Sequence, residues 1–213
     1  MTIKAIETAY AGCRFRSRLE ARWAVAFDHM GIPWEYEPEG FEVGYSEYGG
    51  DYYLPDFYLP QTKTWVEVKG SADAFDFQLL ANTVDWRLGL PGTEDSLGTT
   101  RGLLLLGPIP RSDPWTSFPL LQHKKGGYCE WMSFNRDGTF LLGREHITSW
   151  PNDRLPDPYF DASWGEQDGT EWVEWVRDMW DKYNERPYDS ILANKDPALV
   201  AARSARFEHG ECG

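Results

Sequence analysis

Two carboxylates and a lysine interrupt a stretch that otherwise has the composition of β-strands. In YLPDFYLPQTKTWVEVKG, residues 53–70, aromatic and β-branched residues surround Asp56, Glu67 and Lys69, and such residues favour strands. If residues 60–63 form a hairpin loop, Asp56 lies directly opposite Glu67 on one face of the sheet. Two bare carboxylates in directly opposite positions repel each other. A divalent cation that prefers oxygen ligands, such as Mg²⁺ or Mn²⁺, is the simplest way to hold them together.

The same hairpin predicts a register and a face for each side chain. It predicts two opposing pairs, Leu59 with Thr64 and Tyr58 with Trp65. Side chains alternate between the faces of a strand, so Glu67 and Lys69 share the face of Trp65. The other face carries Val66 and Val68, which are expected to be buried. The hairpin therefore gathers the ionisable groups into one patch with apolar residues behind it.

A third carboxylate, Glu20, lies in the segment CRFRSRLEARWAVAFDHMG, which predicts a first helix that ends at Gly31. Apolar residues recur along it at helical spacing and form the expected buried stripe: Phe15, Leu19, Trp23, Phe27 and Met30. Glu20 neighbours Trp23 and Ala24 at the margin of this stripe. A carboxylate held against a core is costly unless it is paired or metal-bound, so Glu20 is a candidate for the same site.

The order of the elements predicts an α/β core with a mixed sheet. The first helix is followed by an extended segment over residues 32–43 and by the two strands of the hairpin. Residues 71–89 predict a second helix, and its expected inward positions are Phe75, Leu79, Val84 and Leu88. The apolar run RGLLLLGPIP, residues 101–110, predicts a central strand buried on both faces. Helix, three strands, helix and strand are together typical of a layered α/β fold.

The second half of the chain predicts less regular structure. A β-hairpin is expected in GYCEWMSFNRDGTFLLG, with its turn near Asp137 and Gly138. A connection rich in Pro and Gly, a helix in EWVEWVRDMWDKY and a last helix in PALVAARSARFEHG follow. We therefore predict a core over residues 1–110. An extension over residues 111–213, carrying the hairpin and the C-terminal helices, is expected to pack on it.

Three motifs resemble those of the PD-(D/E)XK nuclease superfamily: RSRLEARWA with Glu20, LPDFYLP with Asp56, and WVEVKG with Glu67 and Lys69. The resemblance covers roughly the first half of the chain. It implies a restriction-endonuclease-like core of helix, three antiparallel strands, helix and strand. The spacing is also similar to that in phage junction-resolving endonucleases of this superfamily, which implies structured or branched DNA as a substrate.

The resemblance also implies a role for each residue. Asp56 and Glu67 would bind Mg²⁺, with Mn²⁺ able to substitute, together with the backbone carbonyl of Val68. Lys69 would orient or help deprotonate the attacking water and stabilise the charged phosphate. Burial would lower the pKa of Lys69, whereas the two carboxylates would raise it. Glu20 would hold a second metal or a metal-bound water.

The charge of the chain bears on a nucleic-acid partner. The formal net charge of −13 is unfavourable for phosphate binding. Residues 1–30 nevertheless hold five basic and three acidic side chains, a net of +2, and the strongly acidic part begins at residue 151. The basic segment supplies four candidate contacts to nucleic acid: Arg14, Arg16, Arg18 and Arg22. A solvated helix face with Glu–Arg pairs explains these arginines equally well. The resemblance adds Gln78 as a further polar residue of the active site.

Composition argues against several classes of protein. No apolar run approaches the length of a membrane span, and the N-terminus lacks an apolar signal-peptide core. Cys13, Cys129 and Cys212 lie far apart and form no C-x-x-C pair. This pattern argues against a zinc finger or a disulfide scaffold and favours a cytoplasmic protein, in the host cytoplasm if a phage encodes it.

These observations predict a metal-dependent nuclease that cuts DNA as an endonuclease, in a phage or mobile-element setting. Cutting both strands usually calls for two active sites, which favours a homodimer. Two alternatives stay open: a non-catalytic protein of the same fold that binds a DNA-processing or defence protein through its acidic half, and an RNA nuclease. A solvated strand in which Lys69 pairs with Glu67 or Asp56 is the simplest structural explanation. That explanation suffices for Glu67 and Lys69 taken alone. Asp56 opposite Glu67, Glu20 on the helix and the order of the elements together favour the nuclease site.

Overall fold

The computed structural model describes residues 6–44, 49–83, 89–91, 102–109, 117–122, 128–134, 140–143 and 197–207. Within them the chain is a mixed α/β protein. Several predicted features lie outside these residues: the turn at Asp137 and Gly138, the connection over 149–169, the helix over 171–183, and the inward positions Val84 and Leu88. No helix in the described part of the chain is both long enough and apolar enough to cross a bilayer.

A β-hairpin precedes the first helix. β1 (Thr8–Tyr10) and β2 (Cys13–Phe15) pair antiparallel around a two-residue turn. Ala11 and Gly12 form this turn with φ angles of 48° and 80°, and the tight turns that best fit the twist of two strands need positive φ at both positions. The predicted helical start at Cys13 is therefore wrong, because residues 13–15 are paired in a strand.

The first helix, α1 (Arg18–Met30), begins after Ser17. The Ser17 Oγ accepts a hydrogen bond from the N–H of Glu20 at 3.2 Å and caps the helix. The helix ends as predicted at Gly31, which has a φ of 69° and donates its N–H to the carbonyl of Asp28. The predicted stripe is buried at Phe15, Trp23 and Phe27 and half-buried at Leu19 and Met30.

Nine further strands follow in the described residues: β3 (Glu35–Tyr36), β4 (Phe41–Val43), β5 (Asp51–Tyr53), β6 (Phe57–Leu59), β7 (Thr64–Val68), β8 (Leu103–Leu106), β9 (Ser117–Gln122), β10 (Tyr128–Phe134) and β11 (Phe140–Gly143). Seven of them form one sheet in the order β11-β10-β9-β8-β7-β6-β3, and β4 pairs with β5 separately. The sheet is mixed, because β7 and β8 run parallel and the other neighbours run antiparallel.

The hairpin of β6 and β7 has the predicted register, with Leu59 opposite Thr64 and Tyr58 opposite Trp65. The predicted faces are also confirmed. Val66 and Val68 belong to the buried cluster that packs on α1, whereas Trp65 belongs to a second cluster. β8 is buried on both faces as predicted: it contributes Leu104 and Leu106 to the first cluster, and Leu103 and Leu105 to the second.

The strand that the sequence predicted from Tyr53 is divided in two. β5 ends at Tyr53, and β6 begins only at Phe57. Pro55 lies in the break, where its missing N–H and fixed φ interrupt strand pairing. Asp56 consequently occupies a bend directly before β6.

The helix after β7 is shorter than predicted. A 3₁₀ turn over Ala72–Ala74 comes first, and α2 (Phe77–Thr83) begins after Asp76. The Asp76 carboxylate accepts a hydrogen bond from the N–H of Leu79 at 3.0 Å and so caps the helix at this point. Phe75 is buried as predicted but precedes the helix, and Leu80 is buried where Leu79 was expected to be.

The sheet and the core both continue past residue 110. β9, which the sequence analysis did not predict, pairs with β8. The predicted hairpin is present as β10 and β11, with Phe134 opposite Phe140. The last helix, α3 (Pro197–Ser204), is shorter than predicted and packs on α1, where it buries Leu199 and Ala202.

Candidate active site

Asp56 is buried, and both oxygens of its carboxylate have a partner. Its side chain is 1% exposed. Oδ2 accepts a hydrogen bond from the N–H of Val68 at 2.7 Å, and Oδ1 accepts one from Nη2 of Arg16 at 2.9 Å. Asp56 comes one residue before Phe57, which pairs with Val66. Its carboxylate therefore reaches across the hairpin toward the end of β7.

Glu67 is the second buried carboxylate, and Tyr53 and Lys69 hold it. Its side chain is 7% exposed. The Tyr53 hydroxyl donates a hydrogen bond to Oε2 at 2.6 Å, and Oε1 forms an ion pair with the Lys69 ammonium. Lys69 follows β7 directly, and its side chain is 30% exposed. Its ammonium group therefore lies between the buried carboxylates and solvent.

The carboxylates lie close enough to oppose each other's ionisation. Burial is the largest cause of a rise in the pKa of Asp56 to about 7, and the charges of Glu67 and Glu20 add to this rise. Lys69 and the N–H of Val68 act in the opposite direction. Asp56 therefore holds its proton to a higher pH than an ordinary aspartate does.

Lys69 keeps its proton in this environment. Desolvation by burial would lower the pKa of its ammonium, but Glu67 and Asp56 raise it above the usual value of a lysine. Of the two opposing effects that the sequence suggested, the charges of the two carboxylates together outweigh burial. Lys69 is a cation at neutral pH, which suits it to contact a phosphate oxygen or orient water, and not to remove a proton.

Glu20 is also buried, but its carboxylate is engaged at the start of α1. Oε1 accepts a hydrogen bond from the Ser17 hydroxyl at 2.7 Å. Oε2 accepts from the Tyr36 hydroxyl at 2.7 Å and from the backbone N–H of Arg16 at 3.1 Å. Ser17 and Glu20 have the S-x-x-E spacing of a capping box, a signal that the sequence carries and that the interpretation of Glu20 as a metal-site residue overlooked.

Arg16 enters the site from the turn before α1. Besides its contact with Asp56, its Nε lies 2.5 Å from Oε1 of Glu37 in an ion pair. Desolvation would lower the pKa of the guanidinium, but the charges of Asp56 and Glu37 raise it, so the group is a permanent cation. The Arg16 side chain is 55% exposed. The sequence left Arg16 open as a phosphate contact or as one half of a Glu–Arg pair on a helix face, whereas the structure places it before α1 and on a buried aspartate.

The donor set fits a hard divalent cation. Mg²⁺ is commonly held by one or two carboxylates together with substrate phosphates, and Asp56 and Glu67 offer such oxygens. The carbonyl of Val68 points to the same side as its N–H, toward Asp56, because both groups of a strand residue face the same neighbour. Each oxygen of the two carboxylates already has a protein partner, however, and the described residues contain no group of three Asp, Glu, His or Cys side chains arranged for a metal. A bound cation would therefore compete with Arg16 for Asp56 and with Lys69 for Glu67.

No hydrogen bond or ion pair joins the other candidate arginines to these carboxylates in the described part of the chain. Arg14 is exposed and lies 3.6 Å from Glu7. Arg18 and Arg22 line a cavity whose described lining includes none of the three carboxylates. Gln78 lies in α2, and its side chain is outside the described part of the structure.

Sequence reasoning missed the two tyrosines that hold Glu20 and Glu67. Tyr36 comes from β3 and Tyr53 from β5, so tertiary packing brings them to their carboxylates. No spacing in the sequence marks either residue. The only available signal is general: a buried tyrosine hydroxyl usually finds a hydrogen-bond partner.

Comparison of the chain with protein-family models, with curated proteins and with solved structures finds no match in any of the three.

Proposed function

We propose that this chain is a metal-dependent nuclease that hydrolyses phosphodiester bonds in DNA. The observation that carries the proposal is the burial of Asp56 and Glu67 together, with the Lys69 cation beside them at the solvent boundary. Burying two carboxylates side by side is unfavourable, as the pKa of about 7 for Asp56 reflects. Titratable groups perturbed in this way are concentrated at functional sites.

The element order supports a restriction-endonuclease-like core. α1 is followed by short antiparallel strands, among them the hairpin of β6 and β7, then by α2 and by β8, which runs parallel to β7. The motifs of the PD-(D/E)XK superfamily occur in an arrangement of helices and strands of this kind. Asp56 directly precedes the β6–β7 hairpin, Glu67 belongs to it, and Glu20 belongs to the helix that covers one face of the sheet.

The residues have distinct roles in this proposal. Asp56, Glu67 and the carbonyl of Val68 would hold Mg²⁺, or Mn²⁺ in its place. The bound ion would supply a Lewis acid for a phosphate oxygen and lower the pKa of a bound water. Lys69 would contact the scissile phosphate and orient the attacking water. Arg16, once released from Asp56, would offer a second cation to the phosphate, because its guanidinium is more than half exposed and can move. A guanidinium can donate two parallel hydrogen bonds to one phosphate.

Glu20 takes a positioning role in this proposal and not the ligand role that the resemblance implied. Its two oxygens fix Ser17, Tyr36 and the backbone of Arg16. Glu20 thereby fixes the first turn of α1 and the backbone position from which the Arg16 side chain extends. Its loss would act on catalysis through Arg16.

A non-catalytic protein of the same fold is the second candidate. The complete pairing of the Asp56 and Glu67 oxygens within the chain favours it, because such a network neutralises itself without a metal. The long acidic part of the sequence would then bind a basic partner, such as a DNA-processing or defence protein. Turnover of a substrate separates the two candidates.

The test is cleavage of labelled duplex, single-stranded and four-way-junction DNA, with RNA alongside, in Mg²⁺, Mn²⁺ or EDTA. Asp56→Asn and Glu67→Gln remove a charge at nearly constant volume, and Lys69→Met removes the ammonium. The matched controls are Glu39→Gln and Lys63→Met, which alter exposed side chains. We expect each site variant to lose roughly 100-fold or more in rate, and the controls to cleave as the unmodified protein does.

Three other results would change the proposal. Metal-dependent cleavage that survives Asp56→Asn and Glu67→Gln would show that this site is not the catalytic one. Failure of the folded protein to cut any substrate would favour the non-catalytic candidate. Cleavage of RNA alone would keep the site and change the substrate. Because cutting both strands calls for two sites, we also expect a homodimer on duplex DNA, which sedimentation of the complex would detect.

A further inference from the structure

Arg16 bridges two carboxylates that come from different parts of the chain. Its Nη2 donates a hydrogen bond to Oδ1 of Asp56 at 2.9 Å, and its Nε forms an ion pair with Oε1 of Glu37. Asp56 is buried and Glu37 is half-buried, whereas more than half of the Arg16 side chain is exposed. The guanidinium therefore lies at the boundary between the buried carboxylate and solvent, where a phosphate can approach it.

The backbone fixes Glu37 beside Asp56. The N–H of Glu37 donates a hydrogen bond to the carbonyl of Asp56 at 3.0 Å. Its φ of 43° lies in the left-handed region, which is unfavourable for a residue other than glycine. A strained backbone of this kind persists only where the surrounding structure holds it, and it is frequent at functional sites. Glu37 therefore stays next to Asp56 whether or not Arg16 contacts the aspartate.

The contact between Arg16 and Glu37 depends on charge and not on direction. Oε1 of Glu37 is buried and accepts no well-aligned hydrogen bond in the described part of the chain, although Nε of Arg16 lies 2.5 Å from it. An ion pair without a directed hydrogen bond allows the guanidinium to turn while it stays close. Arg16 can therefore release Asp56 and remain at the site, held by the charge of Glu37.

The hydrogen bond between Arg16 and Asp56 opposes two binding events. A cation at Asp56 competes with Arg16 for Oδ1. A phosphate competes with Asp56 for the guanidinium, which can donate two parallel hydrogen bonds to one phosphate. Each event therefore removes the contact that opposes the other. Two ligands related in this way strengthen each other's binding by the same factor.

We propose that Arg16 couples the binding of the divalent cation to the binding of DNA, by exchanging Asp56 for a backbone phosphate. This inference rests on the proposed nuclease function and adds a control of the same site. DNA binds more tightly when the metal is present, and the metal binds more tightly when DNA is present. A half-exposed ion pair opposes a competitor by about two- to fivefold in affinity, which sets the part of the coupling that Arg16 supplies.

The first test measures the affinity for labelled duplex DNA by fluorescence anisotropy, in EDTA and in saturating Ca²⁺. Ca²⁺ takes carboxylate oxygens as ligands, and a denaturing gel verifies that the DNA is intact. The ratio of Kd in EDTA to Kd in Ca²⁺ should be about two- to fivefold smaller in Arg16→Gln than in the unmodified protein. Arg14→Gln alters an exposed arginine of the same segment and should leave this ratio unchanged.

A double-mutant cycle in EDTA tests the exchange without any metal. Asp56→Asn removes a partner of Arg16, so it should tighten DNA binding about two- to fivefold more in the presence of Arg16 than in the Arg16→Gln background. If Arg16→Gln does not fold, Asp56→Asn is compared with Glu39→Gln, which removes one exposed charge. Equal effects of these two variants on DNA affinity would then overturn the inference.

The outcomes separate this inference from the proposed function. Equal ratios of Kd in Arg16→Gln and the unmodified protein would overturn the inference, even if Asp56-dependent cleavage is found. A smaller ratio in Arg16→Gln with a non-additive cycle, but no cleavage by the unmodified protein, would support the exchange and overturn the nuclease. A non-additive cycle with an unchanged ratio would show an exchange that the metal does not share, and the coupling would fail. No DNA binding in either condition would overturn both proposals.

Discussion

Replacing Asp56 by asparagine should change how the stability of the metal-free protein depends on pH. An unfolded aspartate ionises near its ordinary pKa of 3.8, whereas burial raises the pKa of folded Asp56 to about 7. Below the unfolded value the carboxyl is protonated in both states, and its stabilising contribution is complete. As the pH rises between the two values, the unfolded state releases its proton first, so the free energy of unfolding falls. Above the folded value the contribution is lost and the dependence levels off.

The magnitude follows from the difference between the two pKa values. A difference of about 3 units, at about 1.4 kcal/mol per unit, corresponds to roughly 4 kcal/mol over the whole window. The carboxyl is 1% exposed, so solvent screens its interactions only slightly. Between pH 5 and pH 7, we expect the unfolding free energy to fall by about 2–3 kcal/mol because of this one group.

The measurement is urea unfolding followed by tryptophan fluorescence, at several pH values from 5 to 8 with EDTA present. The difference in unfolding free energy between the unmodified protein and Asp56→Asn isolates Asp56, because the other titrating groups are common to both. Asp73→Asn, at an exposed position, is the control. A difference that stays constant with pH would refute the reasoning. Such a constant difference would instead mean that the ion pair with Arg16 keeps Asp56 ionised throughout this pH range.

Three further substitutions test the network around the site. Ser17→Ala should lower the free energy of unfolding by about 1 kcal/mol through loss of the helix cap, as measured by urea unfolding, and Ser17→Thr should keep most of it; equal losses in both would contradict a capping role. Tyr53→Phe should lower the stability by about 1–3 kcal/mol because it leaves a buried oxygen of Glu67 without its donor, and an unchanged Tm would contradict this hydrogen bond. Arg16→Gln should tighten Mg²⁺ binding about two- to fivefold, since a half-exposed ion pair competes only weakly for the carboxylate; weaker binding in calorimetry would show that Arg16 organises the site.

The hairpin that carries the site was predictable because local rules agree there. Strand-forming residues on both sides of a four-residue loop fix the register, and alternation then separates Glu67 from Val66 and Val68. The start of α1 was not predictable from periodicity, because Phe15 satisfies the helical spacing while it belongs to a strand. The capping residue Ser17 was the better signal for the start of α1, because its side chain accepts a hydrogen bond from the N–H of Glu20.

The partners of the carboxylates were harder to predict than the carboxylates themselves. The types and spacing of Asp56, Glu67 and Lys69 identify them as candidates in the sequence. Their hydrogen bonds to Tyr53 and Arg16 depend on how β5 and the turn before α1 pack, which no local pattern encodes.

The distribution of charge explains how so acidic a chain would bind DNA at all. Strong non-specific binders make about 6–10 phosphate contacts, and their affinity follows their total basic charge. Here the candidate contacts in the described part of the chain are few: Arg16 and Lys69 at the site, and Arg14, Arg18 and Arg22 from the same N-terminal segment as Arg16. The acidic remainder would repel a duplex from other surfaces. Binding would therefore be weak on any DNA that does not reach Arg16 and Lys69 at the site.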